Sequence, residues 1–162
     1  MLFEFGQYII DVDAEETQKC YQNQMLLTEG CGCDGCRNYL LAYELFPEKV
    51  KAFFEKLGID GRKPYEAYEN CRECEGRQSF YGGFYFLCGT VIKGVSAWGN
   101  TTETVSGTIS SWEQNKAYEI EKGYYVSFDI SDTGMSDEFT RPTIIMDFEF
   151  HIPWVLDDKP KT

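Results

Sequence analysis

The stretch Thr143-Ile144-Ile145-Met146-Asp147-Phe148-Glu149-Phe150-His151-Ile152-Pro153 decides the fold. Met146, Phe148, Phe150 and Ile152 fall on one side of an extended chain, and Asp147, Glu149 and His151 on the other. A period of two belongs to a strand, because successive side chains point to opposite faces of a sheet. The alternation predicts a strand over Thr143 to Leu156, with Met146, Phe148 and Phe150 buried and Asp147 and Glu149 more exposed. Pro153, which has no N–H for a ladder, should end its central pairing. One apolar face and one polar face point to an antiparallel sheet.

Outward from this strand the pattern stays β-like. Phe80 to Ile92 is apolar on both faces, as expected of a central strand covered on both sides. Gly82-Gly83 within it is followed by no Gly-Lys-Ser/Thr, so it marks a bulge or a close backbone approach rather than a phosphate loop. Thr101 to Trp112 is β-prone, and Tyr118 to Asp129 divides at Lys122-Gly123 into a bend or hairpin. Ile130 to Arg141 reads as a loop. Asp129 to Gly134 lacks the helix pair and the twelfth-position glutamate of a calcium loop. At the start, Leu2 to Asp13 reads as one strand with Gly6 as a bulge, and Thr17 to Met25 has no clear period. Tyr65 to Glu69 is a helical turn or a short extended piece.

Between these strands sits a helical insertion over about residues 34–58. Asp34 is a candidate N-cap for a helix to about Leu45, with Leu40, Leu41, Tyr43 and Leu45 among its apolar positions. Pro47 suits the first position of a second helix. Val50, Phe53, Phe54 and Leu57 then take the i, i+3, i+4, i+7 spacing of one buried face, and Gly58 is placed to end it. The Phe46-Pro47 corner makes the pair an αα-hairpin. The expected fold class is therefore α+β: one domain over 1–162, an antiparallel sheet as a sandwich or partial barrel, strand-rich over 80–156.

The formal net charge is −12, from 27 acidic and 15 basic residues. Phosphate binding requires Lys and Arg gathered on one face. The one basic gathering, Lys49 to Lys63, is interleaved with Glu55 and Asp60, which argues against nucleic acid or anionic membrane as partners. No basic and apolar leader opens the sequence, and no apolar run approaches the ~20 residues of a membrane span. The expected location is the cytoplasm, where seven cysteines read as thiols or metal ligands.

Those cysteines carry the candidate chemistry. Cys31-Gly32-Cys33-Asp34-Gly35-Cys36 holds three thiols, and Cys71-Arg72-Glu73-Cys74 adds a second Cys-x-x-Cys. Tetrahedral zinc takes four soft ligands from two chain segments, so Cys33, Cys36, Cys71 and Cys74 form a candidate Zn²⁺ set, with Cys31 as an alternative ligand. The competing reading is reduced cysteines packed in a loop. A redox reading uses Cys36 in a first helical turn, where the dipole favours thiolate, but the βαβ setting of disulfide-exchange enzymes is missing. Asp147, Glu149 and His151 have the donor types of an iron-binding facial triad. A solvent-facing polar row of an antiparallel strand explains them more simply.

Cys31-Gly32-Cys33 through Cys36-Arg37-Asn38-Tyr39, Phe46-Pro47-Glu48, Leu57-Gly58-Ile59-Asp60, Lys63-Pro64, Tyr81-Gly82-Gly83-Phe84-Tyr85 and Ile152-Pro153-Trp154-Val155-Leu156 together resemble a family of small uncharacterised bacterial proteins. The resemblance implies a bacterial origin and brings no known activity with it. From the residues, the expected function is non-catalytic binding of a protein or small molecule, with a structural zinc in the cysteine loop. The alternative is a thiol-based redox or metal-dependent enzyme.

Overall fold

The computed structural model describes residues 1–72, 78–131 and 138–156. The chain opens as a hairpin, β1 (Leu2–Phe5) and β2 (Tyr8–Val12), rather than as one strand. Gly6 takes φ +59° at the turn, a left-handed conformation that glycine adopts without strain, so it reverses the chain instead of bulging it. Helix α1 (Ala14–Gln22) follows, capped by the Asp13 carboxylate, which accepts the Glu16 N–H at 3.0 Å. Its buried side is Thr17, Cys20 and Tyr21, too polar a set to show as an apolar period.

Next come α2 (Leu27–Gly30), α3 (Asp34–Tyr43) and α4 (Glu48–Leu57). In α4 the buried residues are Val50, Phe53, Phe54 and Leu57, as the spacing predicts. Pro47 is its N-cap rather than its first residue. Gly58 ends the helix at φ +78°, and a Cβ there would lie 2.1 Å from the Ala14 carbonyl oxygen, so both conformation and space require glycine. The first helix of the pair turns a different side inward. Cys36, Asn38, Tyr39 and Ala42 are buried in α3, while Leu41 and Leu45 are 55% and 64% exposed. Although the two helices share the Phe46-Pro47 corner, α3 packs on the sheet, and α4 packs on the sheet and α1.

The sheet strands are β3 (Glu66–Arg72), β4 (Gln78–Lys93), β7 (Tyr118–Glu121), β8 (Tyr124–Ser131) and β9 (Thr143–Pro153), together with β1 and β2. They form one antiparallel seven-stranded sheet in the order β1-β2-β4-β9-β8-β7, with β3 also on β4. It is open, not a barrel. A separate hairpin, β5 (Trp98–Thr104) and β6 (Gly107–Trp112), lies against the face away from the helices, where Trp98 and Trp112 bond to β9 and β8.

Central β4 pairs with β9 along one edge, from Cys88↔Thr143 to Gln78↔Pro153. Its other edge is shared, first by β3 and then by β2, which leaves Phe86 and Cys88 without a strand partner on that edge. Buried backbone groups need partners, and α1 supplies them. The Tyr21 hydroxyl accepts the Phe86 N–H (3.1 Å) and donates to the Phe86 carbonyl (2.8 Å). Thr17 Oγ1 accepts the Cys88 N–H (3.0 Å), and the Asp13 N–H reaches the Cys88 carbonyl (2.9 Å). The core lies between the helices and Ile144, Met146, Phe148, Phe150 and Ile152 of β9, all buried. Among the described residues, no helix is long and apolar enough to cross a membrane.

Candidate metal centre

Cys31 leaves α2 with its N–H on the Leu27 carbonyl (3.1 Å). Two residues on, Cys33 rather than Asp34 caps α3. Its Sγ accepts the Cys36 N–H (3.4 Å) and its carbonyl accepts the Arg37 N–H (3.0 Å). Asp34 sits inside the first turn and pairs with Arg37 at 2.9 Å. This turn gathers three thiols. The Sγ atoms of Cys31, Cys33 and Cys36 all lie within 4.8 Å of one another, with Cys31 and Cys33 only 3.3 Å apart. A zinc ion ~2.3 Å from each sulfur would hold them roughly 3.8–4.0 Å apart. The three lie close enough to hold a metal ion.

The surroundings grade the thiols. Hydrogen bonding from the Cys33 backbone, then from the Cys33 and Cys36 side chains, holds the Cys31 thiol below its ordinary pKa. Burial, and then the bonds to Cys31 and Cys33, push the Cys36 thiol up. Metal binding needs thiolates, and of these two thiols Cys31 is the more readily ionised and Cys36 the less. The positive end of α3 favours that charge.

The loop is tied to the sheet by buried polar groups. The Tyr81 hydroxyl donates to the Gly35 carbonyl (2.7 Å), and the Asn38 amide donates to the Tyr81 oxygen (3.3 Å) and the Pro153 carbonyl (3.2 Å). Asn38 Oδ1 accepts the Val155 N–H (2.7 Å). These bonds explain why α3 buries Asn38 and Tyr39 in preference to Leu41. They also yield an expectation: Tyr81→Phe keeps the ring but frees the first turn, so any zinc affinity of the three thiols should fall ~10–100-fold, the usual cost of losing an outer-shell partner. A competition titration against a chromophoric chelator measures it; unchanged affinity would remove Tyr81 from the site's support.

The other sequence candidates separate. Cys71 lies on β3, exposed and opposite Phe80. Tyr81 sends its hydroxyl under α3, so Phe80 and Cys71 belong to the other face, and Cys71 is not part of the three-thiol group. Cys74 lies outside the described residues. Asp147, Glu149 and His151 do share a face, but Asp147 is only 7% exposed, against expectation. The β5–β6 hairpin covers it, and the Trp98 indole N–H donates to its Oδ2 at 3.0 Å. Burial lifts its pKa to about 6; the Trp98 bond opposes the rise and Asp129 adds to it. Glu149 accepts from Gln114 (2.9 Å) and lies 4.0 Å from His151 Nε2, whose ring packs edge-on against Phe80. Among the described residues this row does not form a metal-ligand group.

A buried thiol pair lies elsewhere in the fold. Cys20 on α1 and Cys88 on β4 place their sulfurs 3.7 Å apart, and burial, then Cys20, push the Cys88 thiol up to about 12. Their separation of 68 positions leaves no local signal. The chain matches no protein-family model, no curated protein and no solved structure.

Proposed function

We propose that this protein is a non-catalytic binding protein whose cysteine loop holds one thiophilic metal ion, Zn²⁺ by preference. The observation that carries the reading is the convergence of the Cys31, Cys33 and Cys36 sulfurs at the N-terminus of α3. Soft thiolates select zinc or Cu(I) over hard cations. Three sulfurs leave a fourth zinc position, open to solvent on the side of the exposed Cys31 and Cys33.

Elemental analysis of protein purified under reduction without chelator tests this. About one zinc per chain is expected, falling below ~0.1 in Cys33→Ser or Cys36→Ser, since structural zinc needs its full ligand set. A Cys71→Ser/Cys74→Ser double variant that keeps its zinc assigns the three-thiol set; one that loses it assigns Cys33, Cys36, Cys71 and Cys74. In the metal-free protein, alkylation should reach Cys31 early and Cys36 late, and zinc should protect both. Wild-type protein that neither carries nor takes up zinc or Cu(I) ends the metal reading. A second reading, thiol oxidation, is favoured by the 3.3 Å Cys31–Cys33 contact together with the lowered Cys31 thiol. It requires a Cys31–Cys33 disulfide that forms in metal-free protein when oxidised glutathione accepts the two electrons and is released as two thiols, and that excess reduced glutathione reverses, both visible by mass spectrometry.

A further inference from the structure

The sheet face turned away from the helices carries a small cleft, of about 50 Å³, remote from the cysteine loop. Tyr68, Gly82, Trp98, Trp112, Asp147 and Glu149 line it. Its walls are built, not incidental. A Cβ on Gly82 would lie 2.9 Å from the Tyr68 ring, so the missing side chain is what lets the phenol lie down on β4. Trp98 and Trp112 are cross-strand partners in the β5–β6 hairpin. Each is pinned through its indole N–H, Trp98 to Asp147 Oδ2 at 3.0 Å and Trp112 to Ser127 Oγ at 2.8 Å.

The floor is electrostatically incomplete. Asp147 is only 7% exposed, and among the described residues its side-chain hydrogen bond is the one from Trp98. No Lys or Arg among the described residues forms an ion pair with it; the charged group that acts on it is the carboxylate of Asp129. A buried carboxylate without a cation is costly, and Glu149 at the cleft adds negative charge. A cation would complete this arrangement.

The walls decide which cation. Aromatic faces attract an organic ammonium through their quadrupoles, but they offer a metal ion no oxygen. Among the described residues no third His, Cys, Asp or Glu ligand gathers with Asp147 and Glu149. Size narrows the class further: a cleft of about 50 Å³ suits a compact ammonium head on a slim carbon chain. The net charge of −12 draws such a ligand in. We propose that this cleft binds the ammonium head of an alkylamine, with Asp147 as counter-ion and Tyr68, Trp98 and Trp112 as aromatic walls. The head group can belong to a free amine or to a lysine side chain of a partner protein.

The test is an NMR titration of the full chain at constant ionic strength, following the indole N–H resonances of Trp98 and Trp112. The probes are n-butylammonium, n-butanol as its neutral counterpart, and a short peptide with one lysine. Saturable shifts with n-butylammonium are expected, with n-butanol at least ~10-fold weaker, as a charge-dependent aromatic site requires. Asp147→Asn keeps an acceptor for Trp98 and should weaken the amine ~10-fold or more. Tyr68→Leu, at a half-exposed position that the fold tolerates, should weaken it ~3–10-fold through loss of one wall. Peptide binding tighter than butylammonium assigns the site to a protein partner, and equal or weaker binding assigns it to free amines; both support the proposal. It is overturned if butylammonium gives no saturable shift, if n-butanol binds as well, or if natively folded Asp147→Asn binds the amine unchanged.

Discussion

Phe54→Ala should destabilise the protein by about 3–5 kcal/mol, the range for truncating a fully buried aromatic. Phe54 has no exposed surface, and its ring centroid lies 5.1 Å from that of Tyr85, 6.2 Å from Phe150 and 6.3 Å from both Tyr43 and Phe53. These neighbours have little freedom to fill the space. The Tyr85 hydroxyl is held by Tyr39 (2.6 Å) and by the Gly61 carbonyl (2.7 Å). A Cβ on Gly61 would lie 2.8 Å from the Phe54 ring, so that backbone already rests on it. The cavity therefore stays open and the loss sits at the upper part of the range. Urea melts should show a lower midpoint with the slope unchanged. Leu41→Ala is the contrast: at 55% exposure it should change stability by no more than ~0.5 kcal/mol. Equal effects of the two substitutions would mean that α4 does not carry the core.

The contrast between Phe54 and Leu41 shows how far periodicity reaches. In α4 four apolar residues keep strict spacing on a face of one character, and the buried side followed from it. In α3 the buried side includes Asn38, whose amide reaches Tyr81 and the Pro153 carbonyl across the sheet. Those partners lie 43 and 115 positions away, so no local window could rank Asn38 above Leu41. The same holds for α1, which Thr17 and Tyr21 seat by closing the notch in the β4 edge. Strands β4 and β9 were legible because their registers are set by apolar pattern. The β1–β2 turn was not, since a single Gly6 serves a bulge and a reversal equally well.

The candidate site was legible in part for the same reason. Three thiols within six positions have to lie near one another wherever the loop goes, and they do. What spacing left open was the cap: Cys33, not Asp34, closes α3, and that choice brings Cys31 in beside it. For Cys71 the deciding fact is register. The irregularity between Glu69 and Cys71 sets which face each later residue takes, and a one-residue shift moves a side chain through the sheet. On the β9 strand the period correctly separated two faces. It could not show that a distant hairpin covers the polar one, because Trp98 and Trp112 reach Asp147 and Ser127 from outside the sheet.

That cover sets up the second large effect. As pH rises from about 4 to about 6, Asp147 alone should remove roughly 3 kcal/mol of stability, at ~1.4 kcal/mol per pH unit between its ordinary and its folded pKa. The carboxyl titrates at 3.8 ordinarily and at about 6 in the folded chain, with burial as the main cause. The direction follows from which state holds the proton. Below 3.8 both states hold it and the contribution is fully present. Above 3.8 the unfolded chain ionises while the folded one does not, so stability falls; past about 6 the folded state ionises too and the fall ends. The groups facing Asp147 do not reverse this. Trp98 from β5 donates to it, while Asp129 from β8, itself raised by burial against a 3.1 Å bond from Ser96, repels it. Tyr68 from β3 and Glu149 beside it on β9 bring no positive charge. Asp147→Asn keeps an oxygen for Trp98 and removes the titration. Denaturant melts of both proteins at pH 4, 5, 6 and 7 should give a stability difference near zero at pH 4. By pH 7 the gap should open to about 3 kcal/mol in favour of the variant, with a residual slope from Asp129 common to both. A difference that stays constant across this range would show Asp147 to be solvated like an ordinary surface acid. The expected outcome makes Asp147 a group that costs the fold stability when ionised, as the counter-ion of the proposed amine site would.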